Sequence, residues 1–288
     1  MLKHISPLRY PGGKTKLWKY LSEIIKCNHP IDTYIEPFAG GSGAALKVLF
    51  SGIVKNIILN DADECIYKFW LSILNNTEDL LNKIKSAPIN VLEWKKQRAL
   101  LENKELNKKA SDLEIGFATF YINRCNRSGI ITFSSGPIGG YKQHGKWKID
   151  SRFNKRDLIN KIEKIASYKE KIEIFNLDAI DFLEFCTNKL SLDKERTLIY
   201  LDPPYFEKGP DLYRLYFRNH DHIRLHNYLK NNLRVLWVLS YDDVPYIKKL
   251  YDGINKNGFL VNHFAYKAKV GKELMIFSDD CKIPSYKQ

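Results

Sequence analysis

Residues 198–205 read LIYLDPPY. The first four residues are apolar and typical of a short buried strand, and neither proline that follows can donate an N–H to a sheet ladder. The strand is therefore predicted to end at Asp202, at the carboxyl edge where open α/β sheets hold their ligands. An acid, a rigid turn and the ring of Tyr205 suit an amino-bearing heterocycle. A strand-end turn capped by an aspartate explains the same residues without a ligand.

Three more predicted strands end in an acid or a glycine turn. Residues 33–43 run from a strand into the turn PFAGGSG, residues 57–61 end at Asp61, and residues 171–178 end at Asp178. Because the carboxyl ends of parallel strands meet at one sheet edge, these polar groups are expected to lie together. The sequence therefore predicts an α/β fold with a polar site at that edge.

The remaining pattern is mostly helical. Strands are predicted near residues 234–240, 260–266 and 273–277, and helices at 16–26, 44–50, 155–166, 179–185, 222–231 and 244–251. Apolar residues at helical spacing predict helices through 66–113. Residues 117–122 are interpreted as a short apolar segment that the polar residues 123–129 break, with loops and a hairpin expected through 145.

The glycine turn and the acid after it are typical of nucleoside binding. Asp61 follows Gly41 by 20 residues, the arrangement in which an acid accepts hydrogen bonds from ribose hydroxyls. The dinucleotide fingerprint G-x-G-x-x-G is not met, because Leu46 stands where its last glycine would be, so no pyrophosphate is required. S-Adenosylmethionine is the common nucleoside of this kind. The N-terminal RYPGGKT, residues 9–15, is not a P-loop, since Leu8 replaces the first glycine, and it places Tyr10 and Lys14 close together.

Composition and cysteine usage restrict the class of protein. The chain has 288 residues, of which 44% are hydrophobic and 27% charged, as in ordinary soluble domains. No apolar run approaches the ~20 residues of a membrane span, and the N-terminus lacks the apolar core of a signal peptide. The five cysteines are scattered, with no C-x-x-C spacing. We therefore expect a cytoplasmic protein with reduced thiols, no membrane association and no metal site.

Positive charge is concentrated in one segment. The formal net charge is +13, and residues 121–169 hold eleven Lys/Arg against three Asp/Glu, a net of +8. Aromatic residues are interleaved with these cations, at Phe133, Tyr141, Trp147 and Phe153. Such a segment is what a phosphate backbone attracts, although a solvated basic face would carry the same charge.

The order of these motifs resembles the N6-adenine DNA methyltransferases of the DNA adenine methylase group, which use S-adenosylmethionine. The resemblance rests on RYPGGK (9–14), EPFAGGSG (36–43), ND (60–61), Asp178 and DPPY (202–205), and it extends from Leu8 to about Ser278. Residues 121–155 depart from the hairpin of the GATC-specific members, so the target sequence does not carry over.

The resemblance implies a fold, domains and residue roles. The fold would be a Rossmann-like methyltransferase sheet with helices on both faces, formed by residues 1–70 and 170–288, with a mostly helical target-recognition domain inserted at 71–169. Double-stranded DNA would be the partner of a monomer, and a restriction or phage-defence partner stays open. The cofactor would contact Tyr10, Gly13, Lys14, Phe38, Gly40, Asp61, Asp178 and Asp202. The target base would be held by Asp202, Pro203, Pro204 and Tyr205. The basic segment, rather than the resemblance, supplies the expected DNA contacts, which are Arg124, Asn126, Arg127, Lys142 and Lys146.

The chemistry of an exocyclic amine agrees with these roles. Its lone pair is delocalised into the ring, and hydrogen bonds to the Asp202 carboxylate and the Pro203 carbonyl would localise it for attack on a methyl group. Asp202 would also stabilise the positive charge that develops on nitrogen. The base must be flipped out of the duplex, and Tyr205 would stack on it. C5-cytosine chemistry is set aside because no cysteine follows a proline.

Two other classes stay open. An N4-cytosine or RNA-adenine methyltransferase would use nearly the same amine chemistry on the same scaffold. A non-catalytic nucleic-acid-binding relative would keep the fold without turnover.

Overall fold

The computed structural model describes residues 5–10, 17–132, 134–190, 192–207, 209, 214–263 and 269–285. Gly13 and Lys14, two of the predicted cofactor contacts, and Phe133 of the basic segment lie outside the described residues. The chain divides into two compact units. The sheet unit comprises Lys14–Ala62 and Lys171–Gln288, and the helical unit comprises Met1–Gly13 and Asp63–Glu170.

In its described residues the sheet unit is built on one sheet of seven strands. They are β1 (Thr33–Glu36), β2 (Asn56–Asn60), β3 (Ile172–Phe175), β4 (Thr197–Leu201), β5 (Leu236–Asp242), β6 (Lys256–His263) and β7 (Lys269–Phe277). Their order across the sheet is β3-β2-β1-β4-β5-β7-β6. The first five pair in parallel, whereas β7 runs antiparallel to both β5 and β6. The predicted α/β fold with a mostly parallel sheet is confirmed, and each predicted strand overlaps an observed one.

Strands β1 and β4 form the centre of the sheet. Every residue of β4 is buried, as expected for a parallel strand covered on both faces. The chain leaves β1 toward β2 on one side and returns to β4 on the other, so the strand order reverses between β1 and β4. In open α/β sheets a reversal of this kind opens a crevice at the carboxyl ends of the two strands.

Five helices belong to the sheet unit in the described part of the chain. They are α1 (Trp18–Cys27), α2 (Gly43–Phe50), α9 (Ala179–Asn188), α10 (Asn219–Asn231) and α11 (Pro245–Leu250). Their apolar residues bury against the sheet, and Leu183 of α9, Leu225 of α10 and Ile247 of α11 are completely buried in one cluster with Ile199 and Leu239. This packing fixes the strand ends from which the site is built.

The helical unit contains six helices in its described residues. They are α3 (Glu64–Asn75), α4 (Thr77–Ser86), α5 (Val91–Glu102), α6 (Lys104–Lys109), α7 (Asp112–Cys125) and α8 (Lys155–Ala166). Phe69 of α3 stacks on Phe120 of α7 with ring centroids 5.8 Å apart. The predicted insert, residues 71–169, lies within this unit, and its mostly helical character is confirmed.

Helix α7 corrects the interpretation of residues 117–129. Residues 117–122 are not a separate segment but the middle of α7, which continues through Asn123 to Cys125. The helix begins with a capping box in which Ser111 and Glu114 bond each other's backbone N–H, a motif that satisfies two helix-end donors at once. Asn123 does not break the helix, because its side chain bonds outside it, to Arg9 and to the Gly129 carbonyl.

The expected hairpin is absent from the described residues between 126 and 153. The chain there forms turns, and its one β-type pairing among the described residues is an isolated antiparallel bridge between Asn126 and Pro137. Over the same described part of the chain, no helix is both long and apolar enough to cross a bilayer. The described residues also contain no cluster of three or more His, Cys, Asp or Glu that could hold a metal ion.

One buried acid links the core to the edge of the sheet. Glu36, the last residue of β1, is 4% exposed. Its Oε1 accepts hydrogen bonds from the Tyr34 hydroxyl and the Ala45 N–H, each at 3.1 Å. Burial raises the pKa of Glu36 to about 8, the Asp202 carboxylate adds to the rise, and the two hydrogen bonds oppose it. The folded protein therefore keeps a proton on Glu36 at pH values where the unfolded chain releases it.

We predict a stability effect of Glu36→Gln that depends on pH. The folded pKa lies above the unfolded one, so the contribution of Glu36 to stability is complete below about pH 4.5 and decreases as the pH rises to about 8. Within that window the free energy of unfolding of the wild type should fall relative to the variant by up to about 1.4 kcal/mol per pH unit. Urea unfolding at pH 5.5, 6.5 and 7.5 measures this difference. Parallel pH profiles for the two proteins would contradict the proposed protonation of Glu36.

Candidate active site

Asn60 ties together the ends of three neighbouring strands. Its side chain is completely buried at the end of β2. The amide nitrogen donates to the carbonyls of Pro37, at 3.0 Å, and Leu177, at 3.1 Å, and the amide oxygen accepts from the Leu177 N–H at 2.9 Å. The glycine turn after β1 is thereby fixed against the exit of β3. The sequence interpretation gave Asn60 no role, although an amide beside an acid at a strand end was a signal.

The glycine turn and Asp61 form one hydrogen-bonded element. The Gly40 N–H donates to Asp61 Oδ2 at 2.8 Å, and Gly40 has a φ of 45°, a conformation that glycine adopts without strain. Asp61 is 9% exposed, and its carbonyl accepts from the Asn176 amide at 2.7 Å. The turn and the acid thus present a rigid rim of backbone and carboxylate at the carboxyl ends of β1 and β2.

Phe38 and Asp178 lie at the same strand ends in different surroundings. Phe38 is half-buried and meets Phe217 edge to face, with centroids 5.6 Å apart. Asp178 is exposed, caps helix α9 by accepting from the Ile180 N–H at 3.0 Å, and lies 3.4 Å from the Arg224 guanidinium. Capping and ion pairing already occupy the carboxylate of Asp178, so its predicted contact with a cofactor stays a prediction.

Asp202 follows β4 directly and is half-buried. Its Oδ1 accepts a hydrogen bond from the Ser240 hydroxyl at 2.9 Å, and that hydroxyl lies 2.9 Å from the Tyr200 hydroxyl. The ring of Tyr200 also stacks on the ring of Tyr34, with centroids 6.4 Å apart. The register pairs Tyr200 with Val238, so Ser240 is level with Asp202 and on the same face of the sheet.

The turn after Asp202 is fixed by two acids from the antiparallel side of the sheet. Asp242, at the end of β5, accepts from the N–H groups of Phe206 and Glu207, each at 3.1 Å. The Tyr205 hydroxyl donates to Glu273 of β7, and the Tyr205 side chain is only 3% exposed. Its predicted stacking on a base stays a prediction. Pro203 is buried and Pro204 is half-buried, which completes a rigid segment around Asp202.

The predicted DNA contacts in the helical unit separate into two groups. Arg127, Lys142 and Lys146 are exposed. Asn126 is 1% exposed, and its amide accepts from the Trp94 indole at 2.8 Å and donates to the Ile130 carbonyl at 2.6 Å. A direct contact between Asn126 and DNA would require those bonds to break. Two exposed aromatic side chains accompany the exposed cations, Tyr141 at 59% and Trp147 at 63%.

Arg124 is directed into the helical unit. Its guanidinium donates to the Arg152 carbonyl and, at 3.4 Å, to the Pro7 carbonyl. Burial, together with the neighbouring Arg9, lowers the pKa of Arg124 to about 10. Its predicted contact with DNA also stays a prediction.

The segment that carries Tyr10 is held by helix α7. The Arg9 N–H donates to the Asn123 side-chain oxygen at 2.7 Å, and the Asn123 amide donates back to the Arg9 carbonyl at 2.9 Å. Gly129 packs so closely that a Cβ there would lie 2.1 Å from the Arg9 carbonyl oxygen. Tyr10 itself is half-buried. No pattern in the sequence indicated that the N-terminal segment belongs with the helices.

Comparisons with known proteins found relatives in sequence and in structure. The chain is 24% identical over 255 residues to the type II methyltransferase M.CviBI of Paramecium bursaria Chlorella virus NC1A. That alignment covers 85% of this chain and 86% of the relative. It is 25% identical over 268 residues to the type II methyltransferase M.MjaIII of Methanocaldococcus jannaschii, and this alignment covers 86% of the chain and 88% of the relative. Among solved structures, the rRNA methyltransferase AviRa of Streptomyces viridochromogenes matches with a TM-score of 0.40 at 12% identity, covering 93% of this chain and 86% of that one.

A family model matches most of the chain, from Tyr10 to a point just before strand β7. Its matched residues are 10–267, and its description is D12 class N6 adenine-specific DNA methyltransferase. The resemblance seen in the order of the motifs is confirmed. The chain therefore belongs to the D12 class N6 adenine-specific DNA methyltransferase family.

Proposed function

We propose that this protein transfers a methyl group from S-adenosylmethionine to the N6 amino group of adenine in double-stranded DNA. The observation that carries the proposal is the carboxylate of Asp202, fixed at the end of β4 where the strand order of the sheet reverses. Family membership supplies the reaction class, and the site supplies the residues.

The rim formed by the glycine turn and Asp61 fits a nucleoside cofactor. Gly40 lacks a side chain, so a ligand can approach the backbone closely, and the Asp61 carboxylate can accept hydrogen bonds from two ribose hydroxyls. Phe38 offers an apolar ring at the same edge. When bound, S-adenosylmethionine supplies an electrophilic methyl group on a positively charged sulfur.

Asp202 acts on the amino group of the target adenine. As an ionised carboxylate it is a pure acceptor, so it binds an N–H of the amine and favours a localised lone pair on nitrogen. The carbonyl of Pro203 can accept the second N–H. As positive charge develops on the nitrogen, the fixed negative charge of Asp202 stabilises it without reorganisation. An adenine in a duplex reaches this position only after it is flipped out of the stack.

The helical unit reads DNA in this proposal. Arg127, Lys142 and Lys146 supply positive charge for phosphates, and the exposed ring of Trp147 supplies a surface on which a base can stack. The cysteines of the described chain are all free thiols, which fits a reducing cytoplasm. A monomeric state and a restriction or defence partner stay predictions.

Asp61→Ala should weaken the binding of S-adenosylmethionine by ~1.5–3 kcal/mol, because a charged acceptor for the ribose is lost. The matched control is Asp61→Asn, which keeps an oxygen for the Gly40 N–H and loses only the charge. Isothermal titration calorimetry on both folded variants measures the two effects. Wild-type affinity in Asp61→Ala would remove Asp61 from the cofactor site.

Replacing Arg127, Lys142 and Lys146 together by alanine should weaken duplex binding and leave cofactor binding intact. If each cation meets one phosphate, the slope of log K against log salt should become shallower by about 0.9 per contact. If Arg127 reads guanine instead, the loss at that position should depend on sequence, by roughly 1–3 kcal/mol.

The control for this charge removal is Lys104→Ala with Lys108→Ala, because both lysines are exposed on α6 of the same unit. Fluorescence anisotropy at several salt concentrations provides the measurement. Equal binding by the triple variant and this control would mean that the basic segment is only a solvated face.

Asp202→Asn tests the proposed function directly. The Ser240 hydroxyl can donate to the oxygen of the new amide, which places an N–H₂ group where the second carboxylate oxygen was. Single-turnover methyl transfer to a duplex should slow by at least ~10²-fold, the scale for losing one preorganised electrostatic partner.

Cofactor affinity should change much less, since Asp61 and the glycine turn carry most of it. A cofactor titration of the same variant therefore serves as the control. Methyl transfer by Asp202→Asn at the wild-type rate would overturn the assignment of Asp202.

A further inference from the structure

Two buried hydroxyls form a chain that ends on the Asp202 carboxylate. Tyr200 is 2% exposed and Ser240 is completely buried. Both O···O separations along the chain, from Tyr200 to Ser240 and from Ser240 to Asp202 Oδ1, are 2.9 Å. Buried polar groups in such networks are costly unless each is satisfied. Neither hydroxyl was assigned a role from the sequence.

The Asp202 carboxylate determines the direction in which these hydrogen bonds are donated. An ionised carboxylate can only accept, so Ser240 donates its single proton to Asp202. The Ser240 oxygen can then only accept from Tyr200, and the Tyr200 hydroxyl must be the donor. Burial, with the Asp202 charge nearby, holds the pKa of Tyr200 well above its usual value. Tyr200 therefore keeps the proton that it donates to Ser240 at neutral pH.

We infer that Tyr200 and Ser240 are positioning residues that lock the side-chain orientation of Asp202 toward the target amine. The inference rests on the proposed function and deepens it. Asp202 follows the last residue of β4, and backbone pairing in a sheet does not set a side-chain torsion such as χ1. Ser240, on the neighbouring strand and level with Asp202, supplies that restraint. Tyr200 acts one step behind, by orienting the Ser240 proton and polarising its O–H bond.

Positioning makes a prediction that a purely structural role does not. Reactive geometry is lost when a catalytic group can rotate, and small misplacements cost up to about 10²-fold in rate. Removing the Ser240 hydroxyl should therefore lower the rate of methyl transfer, while the affinities for cofactor and duplex change little. Because Tyr200 acts only through Ser240, its removal should have no further effect once the Ser240 hydroxyl is absent.

The experiment is a double-mutant cycle on the full chain, read by single-turnover methyl transfer to an adenine-containing duplex. Ser240→Ala should reduce the rate by roughly 10- to 100-fold. Tyr200→Phe should reduce it by about 3- to 10-fold, because it weakens the Ser240 bond without removing it. The double variant should match Ser240→Ala alone. The dissociation constants for S-adenosylmethionine and duplex should stay within about threefold of wild type, since neither hydroxyl is expected to touch a ligand.

Two matched controls lie in the same unit. Ser22→Ala removes a buried hydroxyl whose bond, at 2.6 Å, goes to the Trp18 carbonyl within α1. Tyr251→Phe removes a buried phenol that has no hydrogen-bond partner among the described residues. Both variants should react at the wild-type rate, and thermal unfolding of all variants should show that each is folded.

The outcomes separate this inference from the proposed function. If the wild type transfers methyl groups and Ser240→Ala does so at the same rate, the positioning role alone is overturned. Independent, additive rate losses for Ser240→Ala and Tyr200→Phe also overturn it. A folded wild type that transfers no methyl group to any duplex overturns the proposed function and the positioning role together.

Discussion

The parallel pairing of β1 with β4 is the constraint on which the site depends. Thr33 to Ile35 pair with Thr197 to Ile199, so the two strands end side by side, one in the glycine turn and the other at Asp202. The chain reaches these neighbours from opposite directions in the strand order, which leaves the crevice between them uncrossed by a connection. Any shift of one residue in this register would turn Tyr200 and Asp202 to the opposite face.

Acidic side chains gather at the carboxyl edge of the sheet. Asp61, Asp202, Asp242 and Glu273 all accept hydrogen bonds there from backbone N–H groups or hydroxyls. Those donors are neutral, so they orient the oxygens without cancelling the charge of the ionised acids. A fixed negative field of this kind favours a cationic ligand and a transition state that gains positive charge. Methyl transfer from a sulfonium to an amine has both properties, which is why this edge suits the proposed reaction.

The sequence predicted the sheet well because burial leaves a strong local signal. Buried β4 and the acid at its end could be identified from eight residues, and the motif order then gave the family. The sequence did not reveal Ser240, because its bond to Asp202 spans 38 residues and depends on the register of β5. Asn126 was predicted to contact DNA, which stays a prediction, and its bond to the Trp94 indole, 32 residues away, is a tertiary contact that the sequence pattern does not show. The extent of α7 was missed for a related reason, since Asn123 is satisfied by a segment more than a hundred residues away.

The most direct test of this account is the transfer of an isotopically heavy methyl group from labelled S-adenosylmethionine to a duplex, followed by digestion to nucleosides and mass spectrometry. The account predicts that the label appears in N6-methyladenine when the wild-type protein is incubated with double-stranded DNA. Label in N4-methylcytosine, or no label in any nucleoside, would contradict it.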